Sequence, residues 1–491
     1  MAPKRNILLM IADDLGREQI GTYGCKSLRT PSLDSLAASG SRFDMAFAST
    51  ASCSGSRTTI YTGLHTHENG NYGLVLERNG FQTWKHVETA PQVFNDLGYK
   101  TGILGKIHVA PEEKYPWQTR RESGSRNTAM IADQAEEFFA EAKKENRSFY
   151  LTIGYVDPHR VLASRGGFGN EEGNYDVRLK DRIFSPDEVE VPHFMQDLPA
   201  IRQELAEYYR SINRMDQGIG LVLEALERHG LTDETLVLFL SDNGPPFVNS
   251  KTTLYDAGVR LPFILRVPGK NPGVINQNMV SYIDVLPTFL DWAGHGNRQP
   301  PEGYVGPRRG RSILPIADAA TTDVEGWDQV FGSHTFHEIT NYWPTRYMRN
   351  RRYKYHRNVC WKLDFPFAMD LYASLSFEAM RNTSPPMIGK RLLKSYICRP
   401  PEELYDLESD PHEVNNLASM PDHAGTLKEM REAVEKWQME TKDLWLWKDG
   451  VAVHRFKEFN YEREGLKIPD RFDFDVDNPG LAHVDRSLKL H

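Results

Sequence analysis

Four short apolar runs constrain this chain more than any other feature. They are Ile7–Ile11, Thr101–Leu104, Phe149–Tyr155 and Leu236–Leu240, and segments of helical periodicity separate them. The helical segments are Ser32–Ser39 (stopped by Gly40), Pro91–Leu97 (stopped by Gly98), Ala129–Lys144 and Ala200–Arg228. The last keeps Ile212, Met215, Ile219, Leu223 and Leu226 at helical spacing. Short buried strands that alternate with helices predict an α/β fold, with a large, mainly parallel sheet flanked by helices.

The pattern changes after residue 325. Gln329–Ser333, Arg346–Tyr355 and Glu403–Leu407 read as strands without long helices between them, and helical periodicity returns at Thr426–Glu440. The expected organisation is a catalytic domain over residues 1–325 and a smaller C-terminal α+β domain with an antiparallel sheet over 326–450. An extended tail occupies 451–491. Asp473, Asp475 and Asp477 in that tail resemble the start of a calcium loop, but the turn glycine and the closing glutamate are missing, so no metal is expected there.

Composition removes several function classes. The net charge of −8 is spread without a basic block, so no nucleic-acid partner is expected. No run of about 18 apolar residues exists, so no membrane span is expected. The start, Met1-Ala2-Pro3-Lys4-Arg5, runs straight into the first strand and lacks the core of a signal peptide. Cys25, Cys53, Cys360 and Cys398 lie far apart without metal-type spacing. Together these features predict a reduced, cytoplasmic protein.

The chemistry is carried by the residues just beyond the end of each strand. Ligands of open α/β sheets bind beyond the carboxyl ends of the strands. Here those ends carry Asp13-Asp14, then Lys106 and His108, then Asp157 and His159, then Asp242-Asn243. One carboxylate after a strand is an ordinary turn residue or helix cap. Four polar clusters on one sheet edge are not explained that way. Asp13, Asp14, Asp242 and Asn243 form an all-oxygen set that suits one hard divalent cation, Ca²⁺ first, with Mg²⁺ or Mn²⁺ as alternatives. Cys53 opens a helical run at Ser52-Cys53-Ser54-Gly55-Ser56-Arg57, where backbone N–H groups and the helix dipole favour an anion. Arg57, one turn on, can hold the same residue or its product.

These residues resemble the sulfatase family of the alkaline-phosphatase-like superfamily, whose signature is Cys-x-Pro/Ala-x-Arg. The likeness extends to Ala12-Asp13-Asp14, Gly105-Lys106-Ile107-His108, Ser241-Asp242-Asn243-Gly244 and Glu403-Leu404-Tyr405-Asp406-Leu407 with Asp410-Pro411. Within the family the chain is similar to the heparan N-sulfatase subfamily. The segments that carry this are Asp157-Pro158-His159-Arg160, Arg214-Met215-Asp216-Gln217-Gly218, Phe331-Gly332-Ser333-His334 with His337-Glu338, and Asp410-Pro411-His412-Glu413. Two positions depart from the pattern: Gly55 stands for Pro or Ala, and Lys251 stands where this subfamily tends to carry Arg and other sulfatases carry Lys.

The resemblance implies a sulfatase that hydrolyses a sulfate ester or sulfamate of a small sugar or related substrate. Its nucleophile would be formylglycine, formed from Cys53 by a transient encounter with the formylglycine-generating enzyme. Position 53 would join Asp13, Asp14, Asp242 and Asn243 around the cation. Arg57 and Lys106 would stabilise residue 53, and His108 would deprotonate its second hydroxyl. His159 and Lys251 would hold the sulfo group and protonate the departing atom. Asp157, Arg160, His334, His337 and Glu338 are the candidate sugar contacts at the seam of the two domains. A homodimer is compatible with this reading. A phosphonate monoester hydrolase or phosphodiesterase of the same superfamily, and a non-catalytic sulfatase-like binding protein, remain as alternatives.

Overall fold

In the computed structural model the described residues are 5–161, 164–171, 176–322 and 324–447. The expected tail therefore lies outside them. The main sheet has eight strands in the spatial order Thr119–Glu122, Lys100–Gly105, Phe149–Gly154, Asn6–Ala12, Thr235–Ser241, Phe263–Arg266, Ser41–Phe43 and Val274–Asn276. Only Phe263–Arg266 runs against the others. The four runs read from the sequence are adjacent strands at the centre of the sheet. Ile7 pairs with Tyr150 on one side and Leu236 on the other.

The apolar runs lack polar alternation because both faces of the sheet are covered. Leu8, Met10 and Ala12 enter a core shared with helices Pro31–Ser39, Thr128–Lys144 and Pro199–Arg228. Ile7, Leu9 and Ile11 enter a second core with helices Cys53–Thr62, Ala90–Asp96 and Val285–Trp292. The α/β architecture expected from the sequence is the one observed.

The Arg214–Gly218 segment is a crossing device within the long helix. Arg214 forks onto Asp157 with two bonds of 2.8 Å. Asp216 is buried and accepts the N–H groups of Ser32 and Leu33, capping a neighbouring helix across the fold. Burial pushes its carboxyl up to about 6. Gly218 has no side chain because a Cβ there would collide with Thr128. The two longest helices in this core meet at that contact.

The second sheet is antiparallel, in the order Gln329–Phe336, Tyr342–Asn350, Tyr353–Asn358 and Glu402–Asp406. Arg346–Tyr355, expected as one strand, is instead the middle of a hairpin. Its turn has no glycine or proline signal. The Asn350 side chain makes it by accepting the N–H groups of Arg352 (3.0 Å) and Tyr353 (2.6 Å). Helix Ala424–Glu440 covers this sheet through Leu427, Met430 and Val434 against Met348, Tyr355 and Leu404. The sheet also shares the main cores, since Val330 and Tyr347 belong to one and Trp343 to the other. It meets the loop before Cys53 directly: Ser333 N–H donates to the Ser49 carbonyl (2.8 Å), and the Tyr347 hydroxyl to that of Ala48 (3.1 Å).

Arg346 and Asp443 join this sheet to the end of the covering helix. They form a two-pronged ion pair, and both side chains are fully buried. Removing one partner strands the other charge away from water. Asp443→Ala is therefore expected to lower the stability measured by urea unfolding by about 3–5 kcal/mol. A change below about 1 kcal/mol would show that Arg346 finds other compensation. No helix among the described residues is long and apolar enough to cross a membrane.

Candidate active site

The strand ends converge as the sequence pattern requires. Asp13 and Asp14 follow the central strand, and Asp242 and Asn243 follow its neighbour; all four are fully buried. Asp14 has a left-handed backbone (φ 68°), a conformation that costs a non-glycine residue energy. Tyr208 of the long helix holds it there. Its hydroxyl donates to the Asp14 carbonyl (2.7 Å) and accepts the Gly16 N–H (3.2 Å).

Cys53 is the first residue of a wholly buried helix and is 1% exposed. The Ser52 side chain does not cap that helix and instead shares a hydrogen bond with His337 Nδ1 (3.0 Å). Thr50 does the same with His334 (3.2 Å) and Ser49 with His65 (2.6 Å). Burial lowers all three imidazoles, with His334 pushed down to about 3. They are neutral pins for the loop that delivers Cys53. His334 and His337 thus support the site through the Thr50 and Ser52 hydroxyls.

Asp13, Asp14, Cys53 and Asp242 each offer one ligand atom within 4.8 Å of the others. Each carboxylate also faces its own cation. Lys106 pairs with Asp13, Arg57 Nε with Asp242 at 2.9 Å, and Lys251 with Asp14 at 2.8 Å. Burial, and then Asp13, push the Asp242 carboxyl up to about 7. Burial acts on Asp13 in the same sense, but Lys106, His159, Arg57 and Lys251 hold it below the usual carboxylate range. Asp13 Oδ1 and Asn243 Oδ1 are buried without a hydrogen-bond partner. Three gathered carboxylates, one with an orphaned oxygen, and the orphaned amide oxygen of Asn243 fit a hard divalent cation. Such an ion would leave the centre positive and matched to an anionic group.

The other strand ends supply the outer wall. Gly105 and Gly154 let two strands approach so closely that Lys106 N–H donates to the Gly154 carbonyl (2.7 Å). A Cβ on Gly154 would collide with the Lys106 carbonyl and press on Arg57 Nη1 at 3.0 Å. Gly154→Ala is thus expected to lower kcat/KM by about 10²-fold through displacement of Lys106 and Arg57. Unchanged kinetics would show that this close approach does not position them. His108 has a positive φ of 56°, and burial, then Lys106, hold its imidazole below its usual pKa. His159 Nδ1 faces the Arg160 carbonyl at 2.6 Å, which leaves Nε2 to accept from Lys251 (3.2 Å). Burial works against the Lys251 ammonium, yet Asp14 and Asp370 keep it charged.

Two of the expected sugar contacts are occupied elsewhere. Both oxygens of Asp157 are taken by Arg126 and Arg214. Arg160 is 4% exposed, pairs with Glu204 at 2.7 Å, donates to the Pro246 carbonyl at 2.6 Å and lies over Phe168 and Phe247. These two residues flank His159 in the chain, and Arg160 Nη1 remains buried without a hydrogen-bond partner. Glu338 is half-buried at the hairpin edge, with its backbone paired to Asn341. Asp370 was not read from the sequence at all. It lies 119 residues from Lys251 and forms an ion pair with it at 2.9 Å. It sits in no motif, so no local signal marks it.

A family model for sulfatases matches residues 5–295. The chain belongs to the sulfatase family. As a sulfatase, it is a hydrolase of sulfuric ester or sulfamate groups. It is 37% identical to human N-sulphoglucosamine sulphohydrolase over 480 residues, covering 92% of this chain and 94% of the human protein. It is 30% identical to an ulvan-active sulfatase of Formosa agariphila, covering 90% and 82% of the two chains. Among solved structures, a protein in complex with its substrate D-glucosamine-2-N,6-O-disulfate aligns with TM-score 0.64 at 20% identity, covering 90% of this chain and 99% of that one. The phosphonate monoester hydrolase of Agrobacterium radiobacter aligns equally, TM-score 0.64 at 18% identity, over 89% and 96%. At these identities both structural likenesses establish the alkaline-phosphatase-like fold of this sulfatase and nothing finer.

Proposed function

We propose that this sulfatase removes the N-sulfo group of a small glucosamine derivative, using formylglycine made from Cys53 and one divalent cation, calcium. The observation that carries this reading is the gathering of Cys53 with three carboxylates, each opposed by its own buried or half-buried cation. The human relative, whose name specifies N-sulphoglucosamine, supports the sugar and the sulfamate.

Asp13, Asp14, Asp242 and Asn243, with residue 53, would hold the cation, which supplies positive charge against the sulfo oxygens. Formylglycine at position 53 would supply, as its hydrate, one hydroxyl that displaces the nitrogen from sulfur and a second whose deprotonation releases sulfate and restores the aldehyde. Arg57 and Lys106 hold residue 53 and the incoming anion by charge-assisted bonds. His108, neutral near pH 7, accepts the proton of the second hydroxyl. Lys251 faces the opposite side and delivers a proton to the departing nitrogen, while His159 Nε2 accepts from the ammonium and aims it. Such proton transfers contribute about 10²–10⁴-fold.

The test compares glucosamine N-sulfate, an aryl sulfate and an aryl phosphonate on one preparation. The expected order of kcat/KM places glucosamine N-sulfate first. Faster turnover of the phosphonate would favour a phosphonate hydrolase. No turnover of any of the three, at full formylglycine content and saturating calcium, would point to a binding protein.

A further inference from the structure

We infer that Asp370 is the positioning residue of the leaving-group side, fixing the Lys251 ammonium from the C-terminal half of the chain. The inference rests on the reading of Lys251 and His159 as the pair that serves the departing atom.

An ammonium has three N–H donors on a flexible stem, and its position is set only by what accepts from it. Here the acceptors are Asp14 Oδ2 at 2.8 Å, Asp370 Oδ2 at 2.9 Å and His159 Nε2 at 3.2 Å. Asp14 belongs to the cation set. Among the described residues Asp370 is therefore the one carboxylate partner of Lys251 without that duty. Its side chain is 7% exposed and its Oδ1 accepts the Leu371 N–H at 3.0 Å, so its own rotamer is fixed.

The segment carrying Asp370 is also tied to the rest of the site. Phe367 O accepts from Asn341, four residues beyond His337. Glu204 accepts the N–H groups of Leu375 (2.8 Å) and Ser376 (3.2 Å), and the same carboxylate pairs with Arg160. Arg160 is the next residue after His159 in the chain. One buried brace, Arg160–Glu204, thus fixes both ends of the Asp370–Lys251–His159 contact. This gives Arg160 and Glu204 a purpose that sugar binding does not.

The test is leaving-group dependence. A series of aryl sulfates spanning a range of phenol pKa is assayed with wild type, Asp370→Asn, Asp370→Ala, Lys251→Ala and the double variant Lys251→Ala/Asp370→Ala. Melting temperature and formylglycine content are measured for each. Asp370→Asn keeps the shape and removes the charge. Its loss in kcat/KM should be about 10²-fold with the least acidic phenol and about threefold or less with nitrophenol. The slope against phenol pKa should steepen toward that of Lys251→Ala, and the double variant should be no worse than Lys251→Ala alone. A uniform loss across the series, or additive losses in the double variant, overturns the inference, since a purely structural residue behaves that way. A steepened slope in Lys251→Ala with an unchanged one in both Asp370 variants overturns only the role of Asp370. An unchanged slope in Lys251→Ala overturns the assignment of Lys251 and the inference with it.

Discussion

Cys53→Ala is expected to abolish turnover, with a loss on the order of 10⁶ in kcat, the scale seen on deletion of an enzyme's nucleophile. The fold should survive, because the substitution only shortens a small side chain at a helix start. The thiol itself is poorly suited to the task. Burial, with Asp242 and Asp13, pushes it well above its ordinary pKa, so little thiolate exists near neutral pH. Wild-type activity should accordingly scale with the aldehyde fraction at residue 53, measured by mass spectrometry of the peptide 43–57 beside the turnover rate. Full activity from an entirely thiol preparation would refute this.

Gly55 modulates the same experiment. It occupies the first turn of its helix, where N–H groups have no intrahelical partner, so proline is tolerated on that count. Gly55→Pro should bring the segment to the family pattern and raise the aldehyde fraction. It is not free of cost. A Cβ at position 55 meets Thr50 Cγ2 at 3.1 Å and Thr66 Cγ2 at 3.3 Å. A stability loss of about 1–2 kcal/mol is expected unless both threonines shift.

Removing the divalent cation is expected to eliminate turnover and to lower the melting temperature. At a free cation concentration of a hundred times Kd, binding contributes about 2.7 kcal/mol of stability by mass action. Asp242→Asn should weaken calcium binding sharply and remove activity. The amide is preferable to alanine because Arg57, fully buried, would otherwise lose its 2.9 Å partner and keep only Asp13 at 3.8 Å. The effect also has a pH signature. Burial and Asp13 raise the Asp242 carboxyl when no cation is bound, so below its raised pKa it holds a proton that the cation must displace. Calcium affinity should therefore fall on the acid side and level off toward higher pH, with one proton released per ion bound on the acid side. Affinity that is level between pH 5 and 8, or retained in Asp242→Asn, would remove Asp242 from the ligand set.

The segments through which the sequence resembles its family are in large part scaffold. Glu403 accepts the hydroxyls of Tyr255 and Tyr405, and Glu413 accepts the Asp256 N–H. Asp410 accepts the N–H groups of Val414 and Asn415. Arg214, Asp216 and Gly218 build a helix crossing. Their residue types are demanding because each satisfies a buried donor or a close approach, which makes them recognisable without placing them near the chemistry.

The sequence by itself determined the central strands, the residues at their carboxyl ends and the helix that begins at Cys53. These are local properties: apolar runs, helical spacing, and polar residues where a strand must stop. Tertiary structure alone decided which charged groups remain available to a ligand. Asp157 and Asp242 look alike beside their strands, yet Asp157 is neutralised by Arg126 and Arg214, while Asp242 stands among ligand atoms with a single arginine. Arg160 is likewise paired with Glu204, and Lys251 is held by Asp370 from 119 residues away. A buried charge takes its role from the partner that compensates it, and that partner is brought by the packing of distant segments.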